Sequence, residues 1–347
     1  MLLDNFRLLV GIDLGTSNTL AAVAGKGIVY NEPTLVARLK KKFGGKGTIL
    51  AFGKKAKEML GKEPKQMEII APLSGGVIAD FDATVSLFSH IVEQLNELPS
   101  RFPRFLKPLA VIGVPSGITT VEQRAVKSAA YEAGCRKVFL VEEPMAAAFG
   151  INLPTSKAAG NLLVDIGGGT TEITVLSLGG IVLDRCLPLG GKKMDEAVVN
   201  FVRMKYGVLI GLPTAEKTKI AIGSVLAEKG KEKEIIIKGR EMESGLPKTV
   251  KITEAEIREA IAPIIQEIIA NLSETLEETP PELTADISKR GIVLTGGVSQ
   301  LAGLEKMINE RTKMPVWTPD EPQLSVVKGC VKLAENRKIL GKITILK

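Results

Sequence analysis

Two stretches with the same grammar constrain this chain more than any other feature. The first is Val10-Gly11-Ile12-Asp13-Leu14-Gly15-Thr16-Ser17-Asn18-Thr19. The second is Leu162-Leu163-Val164-Asp165-Ile166-Gly167-Gly168-Gly169-Thr170-Thr171-Glu172-Ile173. Each reads as an apolar strand, an aspartate, a turn of glycine and hydroxyl residues, and a second apolar strand. Such a hairpin offers backbone N–H groups at its tip and a carboxylate at its base. That combination can cradle a phosphate beside a hydrated metal ion. One copy alone can equally be an ordinary hairpin, in which Gly and Asn merely allow positive φ. Two copies facing each other can grip a polyphosphate from both sides, each bringing one aspartate to a shared metal.

A third turn extends the duplication. Ile292-Val293-Leu294-Thr295-Gly296-Gly297 ends a buried strand and precedes a helical pattern from Ser299. Its partner in the first half is Val111-Ile112-Gly113-Val114-Pro115-Ser116, again a strand running into a turn and a helix. The chain therefore reads as an α/β protein built by internal duplication, with a hairpin and a strand-turn-helix in each half.

These loops together resemble the actin-like ATPase superfamily, which also holds the heat-shock ATPases and sugar kinases. Within it, the chain resembles the MreB family of bacterial actins. The narrowing segments are Gly25–Pro33, Val77–Asp80, Val138–Ala148 and Thr279–Leu283, and the resemblance runs from about residue 8 to the C-terminus. It implies an actin-like fold of duplicated ribonuclease-H-like domains, each with an inserted subdomain. The first domain is expected at 1–150 and 316–347, with an outer subdomain at about 32–79. The second is expected at 151–315, with an outer subdomain at about 185–250.

The resemblance also implies the chemistry, which is phosphoryl transfer from ATP to water with Mg2+. Asp13 and Asp165 would hold the ion through its waters. The N–H groups of Gly15, Thr16, Ser17 and Asn18, and of Gly167, Gly168, Gly169 and Thr170, would take the phosphate oxygens. Glu142 and Glu143 precede Pro144, a residue suited to a helix start. Adjacent glutamates cannot face the same way, and Glu143 is assigned to orient the attacking water, helped by Thr170. A charge complementing the helix dipole is a compatible role. Gly191, the helical run with Glu216, Lys217, Thr218 and Lys219, and Thr295, Gly296, Gly297 and Val298 complete the nucleotide contacts. On spacing alone the run would be a solvated helix face.

The chain departs from the family pattern at several points. Val298 stands where a third glycine is common, which narrows the room for adenine. Lys192 and Lys193 stand where acids are usual, and Ala221 replaces a frequent glutamate. Ala71-Pro72-Leu73-Ser74-Gly75-Gly76 lacks the usual Arg and Asp. These bear on nucleotide preference and rate.

Composition excludes other classes. With 347 residues, 45% apolar and 24% charged, the chain is long enough for two domains and too apolar for disorder. No stretch approaches the about 20 apolar residues of a spanning helix, and no signal-peptide cleavage pattern opens it. Cys135, Cys186 and Cys330 are scattered, as buried thiols of a reducing cytoplasm would be. The net charge of +7 is concentrated between Arg38 and Lys65, with ten Lys/Arg against two Glu. That segment suits an anionic membrane, nucleic acid, an acidic neighbouring subunit, or simply a solvated surface. Its aromatics are too sparse for base stacking, and no nucleic acid partner is expected.

Pro99 to Pro108 interleaves Phe102, Phe105 and Leu106 with Arg101, Arg104 and Lys107. An exposed loop of this kind suits the headgroup boundary of an anionic bilayer; inward packing of both phenylalanines is the other reading. The family's matching loop inserts into membranes. The resemblance thus implies ATP-dependent homopolymeric filaments at the inner face of the plasma membrane. Their partners would be membrane proteins of the cell-elongation machinery, and their role the setting of cell shape. A plasmid-segregating filament and a small-molecule kinase are the alternatives within the superfamily. Smaller expectations are capping boxes at Thr120–Gln123 and Thr253–Glu256, a helix from there to about Glu278 kinked or interrupted at Pro263, and one closing helix from Leu324 to Leu340.

Overall fold

The apolar runs that flank each aspartate become buried strands, and the strands that bracket them decide the sheets. A computed structural model describes residues 8–40, 47–98, 107–227, 230 and 232–345. The chain divides into two units. One holds Met1–Ala158, Leu176–Val182 and Gln323–Lys347, the other Ala159–Val175 and Leu183–Pro322.

In the first unit the elements run β1 (Leu9–Leu14), β2 (Asn18–Val23), β3 (Gly27–Pro33), β4 (Val36–Leu39), β5 (Ile49–Phe52), α1 (Gly53–Met59), β6 (Met67–Ile70), β7 (Leu73–Ser74), β8 (Val77–Ile78), α2 (Phe81–Glu97), β9 (Leu109–Val114), α3 (Thr120–Glu132), β10 (Lys137–Glu142) and α4 (Glu143–Gly150). The five-stranded sheet has the order β10-β9-β1-β2-β3. β1, β9 and β10 are parallel, and β2 returns antiparallel to β1. β9 is buried along its whole length, as a central parallel strand must be. Leu87, Phe88, Ile91 and Leu95 of α2 join Ile12, Ile112 and Leu140 in one core cluster. β5, β4 and β6 form a small separate sheet, on which α1 packs through Ala37, Ala51 and Ala56.

The elements continue, all but the Leu176–Val182 turn in the second unit, with β11 (Asn161–Ile166), β12 (Thr171–Ser177), β13 (Gly180–Leu187), α5 (Gly191–Tyr206), β14 (Val208–Leu209), α6 (Leu212–Ile222), β15 (Glu234–Glu241), β16 (Pro247–Thr253), α7 (Glu254–Glu278), α8 (Pro281–Arg290), β17 (Ile292–Thr295), α9 (Leu304–Thr312) and β18 (Val316–Trp317). Its sheet order, β18-β17-β11-β12-β13, repeats that of the first unit strand for strand. β11, β17 and β18 are parallel, like β1, β9 and β10. The duplication read from the loops is therefore a duplication of topology.

The closing segment packs in the first unit. It forms α10 (Ser325–Glu335) and α11 (Arg337–Ile343), not the single helix expected. Asn336 breaks it, because its side chain accepts from the Ile339 N–H and starts a new helix. α10 lies against β1 and α4 at backbone distance. A Cβ on Gly11 would sit 2.6 Å from the Val331 nitrogen, and one on Gly329 only 1.7 Å from the Ala146 oxygen.

Two other expectations change. The first capping box is Thr119 with Glu122, one residue earlier than Thr120 with Gln123; both pairs fit the pattern, and the ionised carboxylate is the better partner at a helix N-terminus. α7 runs uninterrupted through Pro263, because Ile257, Ile261, Ile265, Ile268 and Leu272 bury one continuous face and outweigh one lost backbone bond. The capping box at Thr253 and Glu256 forms as read. The basic segment is described only outside 41–46. Phe102, Phe105 and Leu106 lie outside the described residues. Among the described residues, no helix is long and apolar enough to cross a membrane.

Candidate functional site

In the first unit, β1 delivers Asp13 to the mouth of the sheet, 8% exposed. Gly15 must be glycine, since a Cβ there would lie 2.5 Å from the Asn18 carbonyl oxygen. Thr34 braces the turn. Its hydroxyl donates to the Gly15 carbonyl at 2.6 Å and its N–H to the Ser17 carbonyl at 2.9 Å. Thr16 is buried, and its Oγ1 accepts the Gly76 N–H at 2.9 Å, so the β7–β8 turn closes over this loop. Asn18 is exposed at the start of β2.

Glu143 is the first residue of α4, with Pro144 behind it. Its Cγ lies 3.5 Å from where a Cβ on Gly113 would stand, and the Cys330 sulfur is 3.6 Å from the same point. Burial pushes the Cys330 thiol well above the ordinary thiol range, and the charges of Asp13 and Glu143 push it further. Glu143 and Cys330 thus meet beside Gly113 near the strand ends of the first unit, with Asp13 close enough for its charge to act on the thiol. The thiol is inert there, while the two carboxylates are the groups the sequence assigned to metal and water.

In the second unit, β11 delivers Asp165. The Thr295 hydroxyl donates to its Oδ2 at 2.7 Å, and burial nevertheless pushes the carboxyl up to about 6. Gly296 has φ +81°, and a Cβ there would strike the Ile166 oxygen at 2.3 Å. The turn closes by the Gly167 N–H donating to the Thr170 carbonyl at 2.9 Å. Its outer carbonyls hold α5: Gly191 N–H donates to Gly167 at 3.0 Å and Lys192 N–H to Gly168 at 2.8 Å. Gly190 is small for this reason, a Cβ there lying 2.7 Å from the Gly167 oxygen, whereas a Cβ on Gly191 would stand 3.2 Å from the Lys219 ammonium. Gly297 is exposed and unobstructed, while Val298 leans toward Gly191 and packs on the core.

The α6 residues separate. Lys219 is 9% exposed, with its ammonium 2.7 Å from Asp195 and donating to the Gly191 carbonyl at 2.8 Å. Glu216 is half-buried on the same side, one turn earlier. Lys217 is exposed on another face. Thr218 points another way. It is 1% exposed and its hydroxyl donates to the Thr214 carbonyl, so its side chain belongs to the core. Sequence reasoning missed Thr34, Gly76 and Asp195. Each acts through a partner far along the chain, and no local pattern marks such a residue.

A duplicated sheet whose two equivalent strands each end in an aspartate and a Gly-rich turn defines the actin-like class. The MreB of Spiroplasma citri termed MreB5, solved bound to AMPPNP, superposes with a TM-score of 0.88 at 34% identity, covering 96% of this chain and 97% of that one. The family model described as MreB/Mbl protein matches residues 7–342. The cell shape-determining protein MreB of Escherichia coli K12 is 44% identical over 327 residues, 94% of this chain and 93% of the relative. The cell shape-determining protein Mbl of Bacillus subtilis is 41% identical over 333 residues, 96% of this chain and 97% of the relative. The chain belongs to the MreB/Mbl family.

Proposed function

We propose that this protein binds and hydrolyses ATP with magnesium and polymerises into filaments at the inner face of the plasma membrane. In this reading it organises cell-wall synthesis and sets cell shape in the cytoplasm, together with membrane proteins of the elongation machinery. One observation carries it. In each of the two repeated sheets, the strand equivalent to β1 ends in an aspartate followed directly by a Gly-rich turn. The cell shape-determining names of the relatives and the AMPPNP bound to one of them support the same reading.

The donor set fits magnesium. Asp13 and Asp165 are hard oxygen donors, and a carboxyl held up near 6 by burial gains most from a nearby cation. When bound, magnesium would neutralise charge on the β- and γ-phosphates. The chain's own residues do the rest. Backbone N–H groups of Gly15 to Asn18 and of Gly168 to Thr170 take phosphate oxygens, while the Gly167 N–H, expected to join them, is held inside the turn by the Thr170 carbonyl. Glu143, with Thr170, orients the attacking water. Glu216, Lys219 and Thr295 to Val298 receive the nucleoside.

The deciding experiment is Glu143→Ala. It should keep ATP affinity while slowing phosphate release by roughly 10²-fold or more. Filaments of the variant in ATP, seen by microscopy, complete the expected result. Unchanged hydrolysis would remove the assignment of Glu143.

A further inference from the structure

The one histidine in the chain sits at a joint. His90 lies on α2, half-buried, and its ring stacks on Phe52 with centroids 4.4 Å apart and planes 9° from parallel. The Tyr30 ring of β3 meets it edge-on, at 6.1 Å and 78°. Phe52 ends β5 and is the N-cap of α1, so this stack fastens the small three-stranded sheet to α2. The same corner is anchored on β3. Gly53 has φ +59°, and a Cβ there would lie 2.6 Å from Glu32 Oε2. The Lys54 N–H donates to that oxygen at 2.8 Å, and the Lys54 ammonium stands 3.3 Å from Oε1. A second fastening lies apart from the histidine. Buried Arg38 of β4 donates to Glu68 at 2.8 Å and stands 2.9 Å from Asp80, the N-cap of α2.

Two groups make the closed corner costly. Among the described residues, the buried Tyr30 hydroxyl has no hydrogen-bond partner, a loss that opening to water would repair. Burial also holds that phenol above the ordinary tyrosine range, so it stays neutral where histidine titrates. His90 is the second group. Burial holds its imidazole below the ordinary histidine range; Glu93 of α2, Glu32 of β3 and Glu97 of α2 pull it back up, and Lys55 of α1 opposes them. An opened corner exposes the ring to water and lets it take up a proton at higher pH than the closed one. Falling pH therefore favours the open corner through the histidine range.

We propose that His90 is an acid-released pin: neutral, it stacks on Phe52 and holds the β5–α1 corner against α2; protonated, it leaves the stack and the corner opens while the five-stranded sheet stays folded. Opening brings the Tyr30 hydroxyl to water and leaves Arg38 as the remaining tie of the small sheet. The pin works within the first unit and needs no nucleotide.

The test uses the full chain without a histidine tag, so that every imidazole signal belongs to His90. By NMR, that ring should titrate below a histidine peptide in the same buffer. Its protons should lie upfield at about pH 7.5, shifted by the Phe52 ring, and move toward peptide positions at about pH 5.5. Phe52→Leu should remove the upfield shift. Hydrogen exchange, corrected for intrinsic rates, should show β5 and α1 opening roughly five- to tenfold more often at the lower pH. Protection of β9 should not change. His90→Phe keeps a stacking ring without the proton site and should hold the corner closed at both pH values. Circular dichroism identifies a variant that fails to fold, and the wild-type exchange then decides alone. Equal exchange of β5 and α1 at both pH values in wild type overturns the proposal. So does acid opening that persists in folded His90→Phe, or a loss of β9 protection as large as that of the corner.

Discussion

Asp165 shows how one residue can be costly to the fold and useful to the ligand. Its carboxyl is raised to about 6 by burial, against the hydrogen bond from Thr295. An unfolded aspartate titrates near about 3.9. Between these values the folded state binds a proton the unfolded state lacks, so stability falls as pH rises through that window. Above about pH 6 the penalty is complete. Asp165→Asn should therefore raise the Tm of nucleotide-free protein at about pH 7.5, and the gain should vanish below about pH 4. The same variant should lose magnesium-dependent nucleotide affinity by calorimetry. A variant that melts like wild type across this range would place Asp165 in ordinary solvent. The identity of this residue was legible in the sequence, because the strand, aspartate and Gly-rich turn around it repeat those around Asp13. Its partner Thr295 lies 130 positions away in the chain, and its role in the hydrogen bond came only from the fold.

At the scale of elements, the packing of α10 on α4 and β1 is the most demanding feature of the first unit. Gly329 faces the Ala146 carbonyl, Gly150 the Ser325 carbonyl, and Gly11 the Val331 backbone, each closer than any Cβ could stand. Lys332 closes the same joint, donating to the Phe149 and Gly150 carbonyls at 3.2 and 2.7 Å at the end of α4. Gly329→Ala should cost about 1–3 kcal/mol or more, since backbone must move to admit the methyl group. Urea unfolding checks this, and an unchanged midpoint would mean the helices separate freely. Helix existence was legible from periodicity and caps. What was not legible was competition between adjacent signals. Thr119 and Thr120 both satisfy the capping pattern, and only the placed backbone chooses Thr119 with Glu122. Pro263 announces a break that the buried isoleucine stripe of α7 overrides.

For the whole molecule, the reading to test is assembly at a membrane. Phe102, Phe105 and Leu106 are proposed to enter the inner leaflet, with Arg101, Arg104 and Lys107 on anionic headgroups. Burying three such side chains is worth only about 1.5–3 kcal/mol each before ordering costs, so on this reading one subunit would bind weakly. A filament would repeat the loop and multiply the contacts. Vesicle co-sedimentation should therefore depend on ATP, anionic lipid and low salt. A Phe102→Ser, Phe105→Ser double variant should lose it while still forming filaments. Equal binding by both proteins would return the loop to core packing. The sequence by itself determined the duplicated α/β architecture, the family, and which aspartates and glycines stand in the turns. It did so because strand, turn and glycine requirements are local and repeat in recognisable order. Tertiary structure alone decided that Lys219 is held by Asp195, that Thr218 faces the core, that Thr16 receives Gly76, and that the Lys192 N–H is held by Gly168 in the Gly-rich turn. Those outcomes depend on which distant side chains meet once the sheets and helices pack, and no spacing along the chain encodes that meeting.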